Sequence, residues 1–271
     1  MTDAPIATRD LAVCSFSGAR VTERVDRVVV EEPLEIRLGE KTISITMRTP
    51  GDDRELAAGF LFSEGIVRSV DELLRVERGG DNVIRVELAT APDPATLARL
   101  ERHFATTSSC GACGKTSLDA LRPTRARPEP DFTRLDAATL QALPEKLREA
   151  QSAFADTGGM HAAALFDAAG RLELLREDVG RHNAVDKLVG AELLARRIPL
   201  SGRVLLLSGR AGFELVQKAA MAHVPIVAAI GAPSSLAVEL AREAGMLLAG
   251  FVRDGRFNVY AGRERLKGAP E

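Results

Sequence analysis

The chain has 271 residues, 45% hydrophobic and 27% charged, enough for a full core and the balance of an ordinary globular protein. A formal net charge of -2 excludes a protein that coats nucleic acid, which needs a concentrated basic surface, but leaves room for a local basic pocket around one phosphorylated ligand. Met1 to Asp10 carry acids and no apolar core of a signal peptide, no apolar run reaches the roughly 18 residues of a membrane span, and three cysteines (Cys14, Cys110, Cys113) make no disulfide framework, so a soluble protein of the reducing cytoplasm is expected.

Aromatic residues are only 4% of the chain, so the core must rest on Ala, Val, Leu and Ile. From Val21 to Arg48 the alternation of Val28-Val29-Val30 and Ile43-Ser44-Ile45-Thr46 predicts short strands, punctuated by Pro33 and Gly39. Pro50-Gly51-Asp52-Asp53 is a turn offering an N-cap to a helix through Leu56, Phe60 and Leu61. Asn82 to Leu88 alternates as a strand, residues 90–103 favour a short helix, and the proline-rich stretch Pro123 to Pro130 is the best linker. Beyond it the period changes. A helix is predicted over Leu135 to Phe154, then a hairpin of His161 to Phe166 and Leu172 to Arg176 around Ala169-Gly170, and a helix from Asn183 to Ala195. Apolar strands at Val204 to Leu207, Ile226 to Ile230 and Met246 to Val252 alternate with helices at Phe213 to Ala222 and Leu236 to Ala244, and Arg256 to Tyr260 pairs beside the last strand. Continuous apolar strands interleaved with helices imply a sheet covered on both faces, so the second half reads as a three-layer α/β domain. The two halves divide as 1–125, a smaller β-rich α+β domain, and 126–271, the α/β domain.

Four segments carry candidate chemistry. In Ser109-Cys110-Gly111-Ala112-Cys113-Gly114 a glycine follows each cysteine and makes the backbone permissive. Three readings stay open there: half a zinc site completed by two of His103, His161, His182 and His223, a redox dithiol, or a sulfur carrier whose exposed thiolate is favoured by Lys115. The second segment joins Gly158-Gly159-Met160-His161 to Glu177-Asp178-Val179-Gly180-Arg181-His182-Asn183, a polar cluster at the sheet end where α/β domains bind ligands; solvated charges at a capped helix start are the plainer account. The third, Ser208-Gly209-Arg210-Ala211-Gly212, suits an anion at a helix N-terminus but equally a tight turn. The fourth, Phe251-Val252-Arg253-Asp254-Gly255-Arg256, predicts a type I′ turn at Asp254-Gly255 whose arginines are able to hold phosphates.

At these residues the sequence resembles the formate dehydrogenase accessory sulfurtransferase (FdhD) family. Cys110-Gly111-Ala112-Cys113-Gly114, His161-Ala162-Ala163-Ala164, Glu177 to His182, Asp186-Lys187-Leu188 and Glu214 to Lys218 fall in the family's order, with Gly59 to Ile66 upstream and Phe251 to Arg256 downstream. The resemblance implies a cytidine-deaminase-like three-layer core. It implies a persulfide accepted on Cys110 from a cysteine desulfurase, with Cys113 assisting the handover. It implies delivery to the Mo-bis(molybdopterin guanine dinucleotide) cofactor as bound acceptor, for the catalytic subunit of a formate dehydrogenase. In the family the segment matching Phe251 to Arg256 binds this cofactor, and dimers are typical. On that footing Gly209, Arg210 and the Phe251 to Arg256 turn are expected to hold the guanine nucleotide, with His161, Arg181 and His182 lining the same pocket beside Asp178. No metal site of the protein's own is expected, and a homodimer is. Deaminase chemistry is excluded: His161 is followed by Ala162-Ala163 rather than by the glutamate of His-x-Glu, and the cysteine pair precedes the histidine. The alternative function is a chaperone that binds the molybdenum cofactor without moving sulfur.

Overall fold

The computed structural model describes residues 7–92 and 131–268. Cys110, Cys113, Lys115, His103, the linker and the 125/126 boundary lie outside the described residues, as does the helix predicted over residues 90–103 from residue 93 on.

The N-terminal half begins with a ribbon of β1 (Thr8–Ser17) and β2 (Arg20–Val29), paired in register from Thr8↔Val29 to Ser17↔Arg20. There follow β3 (Glu32–Leu38), β4 (Lys41–Arg48), helix α1 (Asp53–Ser63), β5 (Leu73–Gly80) and β6 (Val83–Leu88). The last four strands form a sheet of order β4–β3–β6–β5, parallel only at β3–β6. Two strands of this half, β1 of the ribbon and β5 of the sheet, were not expected. β1 is exposed at most positions, its apolar residues running Leu11-Ala12-Val13 without alternation, and β5 ends in Arg78-Gly79-Gly80, so neither offers an apolar alternation to read. Asp52 is the N-cap of α1 but makes no side-chain cap bond; Asp53 instead binds Arg48 with two contacts of 2.8 and 3.1 Å.

The C-terminal half runs β7 (Leu135–Asp136), α2 (Ala137–Ala150), α3 (Ser152–Thr157), β8 (His161–Asp167), β9 (Leu172–Asp178), α4 (Arg181–Leu194), β10 (Arg203–Leu207), α5 (Phe213–Met221), β11 (Ile226–Ala229), α6 (Ser235–Glu243), β12 (Leu247–Arg253), β13 (Arg256–Ala261) and β14 (Leu266–Lys267). The helix predicted over Leu135 to Phe154 is thus divided. Leu135 and Asp136 pair with β14 in parallel, and the helical path breaks at Gln151, whose φ/ψ of -80/82 is not helical. Six strands form the central sheet, ordered β13–β12–β11–β10–β8–β9, with β10, β11 and β12 mutually parallel and the outer strands antiparallel.

Strand alternation decides which residues cover each face of this sheet. Ala162, Ala164, Phe166, Val204 and Leu206 point toward Leu140, Leu143 and Leu147 of α2. Ala163, Leu165, Leu205, Leu207 and Val227 point the other way, into a cluster with α4, α5 and α6. The sheet is therefore covered by helices on both faces, in a mixed α/β architecture. The same second cluster continues without a gap into Leu56, Leu61 and Phe62 of α1 and Leu34, Ile36, Ile84 and Val86 of the four-stranded sheet. Each such fully buried side chain contributes roughly 1.5–3 kcal/mol.

The join between the halves is the crossing of α1 and α4. A Cβ on Gly59 would stand 1.9 Å from the backbone oxygen of Asp186, and one on Gly190 would stand 1.8 Å from that of Glu55. Only two glycines let these backbones touch. Two buried ion pairs fix α4 beside the crossing. Lys187 meets Asp178 at 2.8 Å, and Lys218 of α5 meets both oxygens of Asp186 at 2.7 and 2.8 Å, with Ser63 of α1 donating to the same carboxylate. Burial by itself would push the Lys218 ammonium down, but Asp186, Glu64 and Glu214 around it hold it above the ordinary lysine range. Charges this deep are tolerated because each finds its partner.

Candidate functional site

Because β10, β11 and β12 run parallel, their C-terminal ends lie along one edge of the sheet. β8 is antiparallel to β10, which brings its first residue, His161, to that same edge. β9 ends there too, with Asp178 opposite His161, and leads through Gly180 into α4. Crevices outside the carboxyl ends of parallel strands are where open α/β sheets take ligands. A cavity of about 510 Å³ opens at this edge, its wall formed by His161, Ser208, Ile230, Arg253 and Asp254 from the strand ends. Its other wall comes from α2 and the chain after it: Pro144, Glu145, Arg148, Gln151, Phe154 and Gly158 to Met160.

Each side chain at this edge has a local cause. Gly209 follows β10 and packs on the imidazole; a Cβ there would sit 3.3 Å from His161 Nδ1. The Ser208 hydroxyl accepts from Ala162 N–H at 2.8 Å, tying the end of β10 to the start of β8. Asp254 and Gly255 both have positive φ, 53° and 68°, and close Arg253 onto Arg256, as a type I′ turn requires. Phe251 also has positive φ, 55°, at the irregularity between Gly250 and Arg253, a sparsely populated conformation for an aromatic residue. Its N–H donates to Gly231 O at 3.1 Å, and the Arg253 guanidinium lies over its ring, 5.8 Å from the centroid.

His161 is half-buried, and its pKa is pushed below the ordinary histidine value first by that burial, then by the positive charges of Arg181 and His182; the Asp178 carboxylate opposes them. The neutral imidazole is therefore the favoured form, and it offers one acceptor nitrogen at the cavity wall. His182 Nε2 stands 2.9 Å from Glu214 Oε2 at the start of α5.

Of the residues expected at the site, His161, Arg253 and Asp254 line the cavity, and Gly209 adjoins it through His161. Arg181 and His182 stand at the first turn of α4, within electrostatic reach of His161. Arg210 and Arg256 are exposed, Gly255 belongs to the turn, and the Val252 side chain is fully buried in the core under α2. Asp178 does not face a ligand. It is fully buried and accepts from Thr49 N–H (3.2 Å), Gly180 N–H (2.8 Å) and Asn183 Nδ2 (3.1 Å) besides pairing with Lys187. Ser208 belongs to the Ser208 to Gly212 segment that the sequence singles out, whereas sequence reasoning missed Glu145, Arg148 and Gln151. Glu145 and Arg148 sit on a helix that reads as an ordinary amphipathic one, Gln151 is the residue at which that helix ends, and no short motif marks them. Among the described residues no group of three or more His, Cys, Asp or Glu is placed to hold a metal ion, and no helix is long and apolar enough to cross a membrane.

The comparisons with known proteins agree with one another over most of the chain. The family model described as FdhD/NarQ matches residues 29–267. A protein of Streptomyces avermitilis named sulfur carrier protein FdhD is 54% identical over 265 residues, covering 94% of each chain. Its namesake in Mycobacterium tuberculosis is 46% identical over 273 residues, covering 96% of this chain and 99% of the other. The namesake in Sulfurisphaera tokodaii is 46% identical over 256 residues, covering 93% and 96%. A crystal structure from Desulfotalea psychrophila, described as a candidate formate dehydrogenase accessory protein, superposes with a TM-score of 0.76 at 26% identity over 96% of this chain and 100% of that one. With a family model matched from Val29 at the end of β2 to Lys267 in the final strand, and with relatives near half identity over nearly their full lengths, the chain belongs to the FdhD/NarQ family.

Proposed function

We propose that this chain is a cytoplasmic sulfurtransferase that accepts sulfur from a cysteine desulfurase on Cys110 and delivers it to the Mo-bis(molybdopterin guanine dinucleotide) cofactor serving the catalytic subunit of a formate dehydrogenase. The observation that carries the reading is the cavity at the edge where β10, β11 and β12 end. It gathers His161, Ser208, Arg253 and Asp254 from separate segments into one wall. Arg253 supplies positive charge for phosphate oxygens, Asp254 a carboxylate able to accept from a guanine edge, and Arg148 a second cation on the opposite wall. The names of the relatives, sulfur carrier proteins, support the transfer half of the reading. On this reading the six-stranded sheet is the deaminase-like core that the family resemblance implies, without the acid-base glutamate of a deaminase.

The sulfur chemistry balances without a metal of the protein's own. The Cys110 thiolate attacks the terminal sulfur of the donor persulfide; one S–S bond breaks, another forms, and the donor cysteine leaves as a thiolate. Attack of the Cys113 thiolate on the inner sulfur of the Cys110 persulfide then expels hydrosulfide for the acceptor and leaves a disulfide. A cellular dithiol reductant supplies the two electrons that reopen it. The cofactor is cargo, and the cavity residues bind and orient it.

Two chains form a dimer in this proposal. β1 and β2 expose Phe16, Val21 and Val25 on one face of the ribbon, where Phe16 lies opposite Val21 and Val25 opposite Ala12. An isolated two-stranded ribbon is marginal in water, and a second ribbon covers that face; light scattering in solution reads the mass directly.

The deciding experiment incubates the protein with a cysteine desulfurase and cysteine and maps the intact mass to peptides. A reducible gain of sulfur on Cys110, with target-enzyme activation abolished in Cys110→Ala, is the expected result. No gain while the desulfurase turns over, with Cys110→Ala still active, would replace transfer by cofactor chaperoning.

A further inference from the structure

A second concave surface lies far along the chain from the cavity residues. β5 is the last strand of the four-stranded sheet, so its outer edge meets no strand among the described residues. A groove of about 560 Å³ runs beside it, floored by Val70, Leu73, Val76 and Leu194 and flanked by Arg54 at the start of α1 and Arg78 near the end of β5. The pairing with β6 steps from Leu73↔Leu88 to Arg75↔Glu87, so Leu74 is the extra residue of a bulge, and it is 68% exposed at the groove. Bulges of this kind re-aim a side chain at the rim of a sheet.

The charges there are unequal in kind. Arg75 and Glu77 pair with each other at 3.7 Å along the strand, and Arg75 also stands opposite Glu87, so the middle of the strand is neutralised. Arg78 stands opposite Ile84 instead. Among the described residues the guanidinium groups of Arg54 and Arg78 make no hydrogen bond or ion pair. Two spare cations thus bracket an apolar floor along a free strand edge. A polyphosphate chain would gain nothing from such a floor, whereas an extended peptide uses all three features: backbone for the edge, an apolar side chain for the floor, carboxylates for the arginines.

We propose that the groove between β5 and α1 is a docking site for an extended acidic segment of a partner protein, which adds as a strand to β5 and sets carboxylates against Arg54 and Arg78. The site stands apart from the sulfur chemistry and holds whether or not that reading does. The probe is a fluorescein-labelled octapeptide alternating Glu with Val, read by anisotropy against the full chain, beside the same peptide with Lys for Glu and a version N-methylated at every second residue. The acidic peptide is expected to bind and to lose about tenfold or more of its affinity in Arg54→Glu/Arg78→Glu. Both arginines are exposed, so an unchanged melting temperature is expected to show that the variant stays folded. The Lys and N-methylated peptides are expected not to bind. Equal binding of the Glu and Lys peptides, or undiminished binding in the double variant, would overturn the proposal. So would tighter binding of a single-stranded oligonucleotide that the same variant abolishes, since it would reassign the arginines to phosphate.

Discussion

His161 stands where burial, two nearby positive charges and one buried carboxylate act on a single imidazole, and burial with the positive charges prevails. The folded chain therefore resists taking up a proton that the unfolded chain accepts around the ordinary value of 6.5. The sign follows directly. The stability tied to neutral His161 is complete above that value and is lost as the pH falls below it toward the lowered folded value. In His161→Asn the effect is removed, so its melting temperature is expected to gain on wild type as the pH is lowered from 7 through 6 to 5. A constant difference between the two across that range would mean that the imidazole titrates normally. The same neighbourhood explains what was legible residue by residue. Asp178, Arg181, His182 and Asn183 announce themselves as a polar cluster beside a helix start, but a sequence does not say which polar residues face inward. Asp178 and Asn183 are buried, with Asn183 bonded to Met47 O at 2.7 Å and to Asp178, so half of the cluster ties the N-terminal half to α4 rather than meeting a ligand.

At the level of elements, the parallel core was legible because β10, β11 and β12 are short unbroken apolar runs, the signature of strands buried on both faces. The Asp254-Gly255 turn was legible because few other pairs tolerate two positive φ values. β1 and β5 were not, since strands with one solvated face or a charged edge lack that signature. Nor was the crossing of α1 and α4, because its glycines lie in helix interiors where glycine ordinarily only costs stability. Their room is taken by backbone, not by flexible side chains. Gly59→Ala must therefore push the two helices apart. The expected loss is at or beyond the upper end of the about 1–3 kcal/mol typical of overpacking, although alanine is the better helix former. Chemical denaturation measures it. A gain of the about 1 kcal/mol that propensity alone would give would mean that the helices do not touch there.

Across the whole molecule the question is whether two sheets make two cooperative units. One apolar cluster contains Leu34 and Ile84 of the four-stranded sheet, Leu56 and Leu61 of α1, Val185 and Leu188 of α4, and Leu205 and Val227 of the six-stranded sheet. Two buried ion pairs and the Asp178 network also cross between the halves or clamp the helix that joins them. No element of either sheet can lose its packing on α1 and α4 without exposing side chains of the other, so a single transition is expected even though composition and motif order divide the chain near residue 125. The sequence supplies a clean probe: there is one tyrosine, Tyr260 in β13, and no tryptophan to mask it. Tyr260 fluorescence reports the far edge of the six-stranded sheet, while far-UV circular dichroism reports all elements. Leu56→Ala empties a fully buried site on α1, at a cost of about 2–5 kcal/mol, which for a chain of this size lowers the melting temperature by on the order of 10 °C. Both signals are expected to move by the same amount, although Leu56 and Tyr260 belong to opposite halves. If tyrosine fluorescence melted at the wild-type temperature while ellipticity fell early, the six-stranded sheet would be an independent domain and the shared cluster a contact between two bodies.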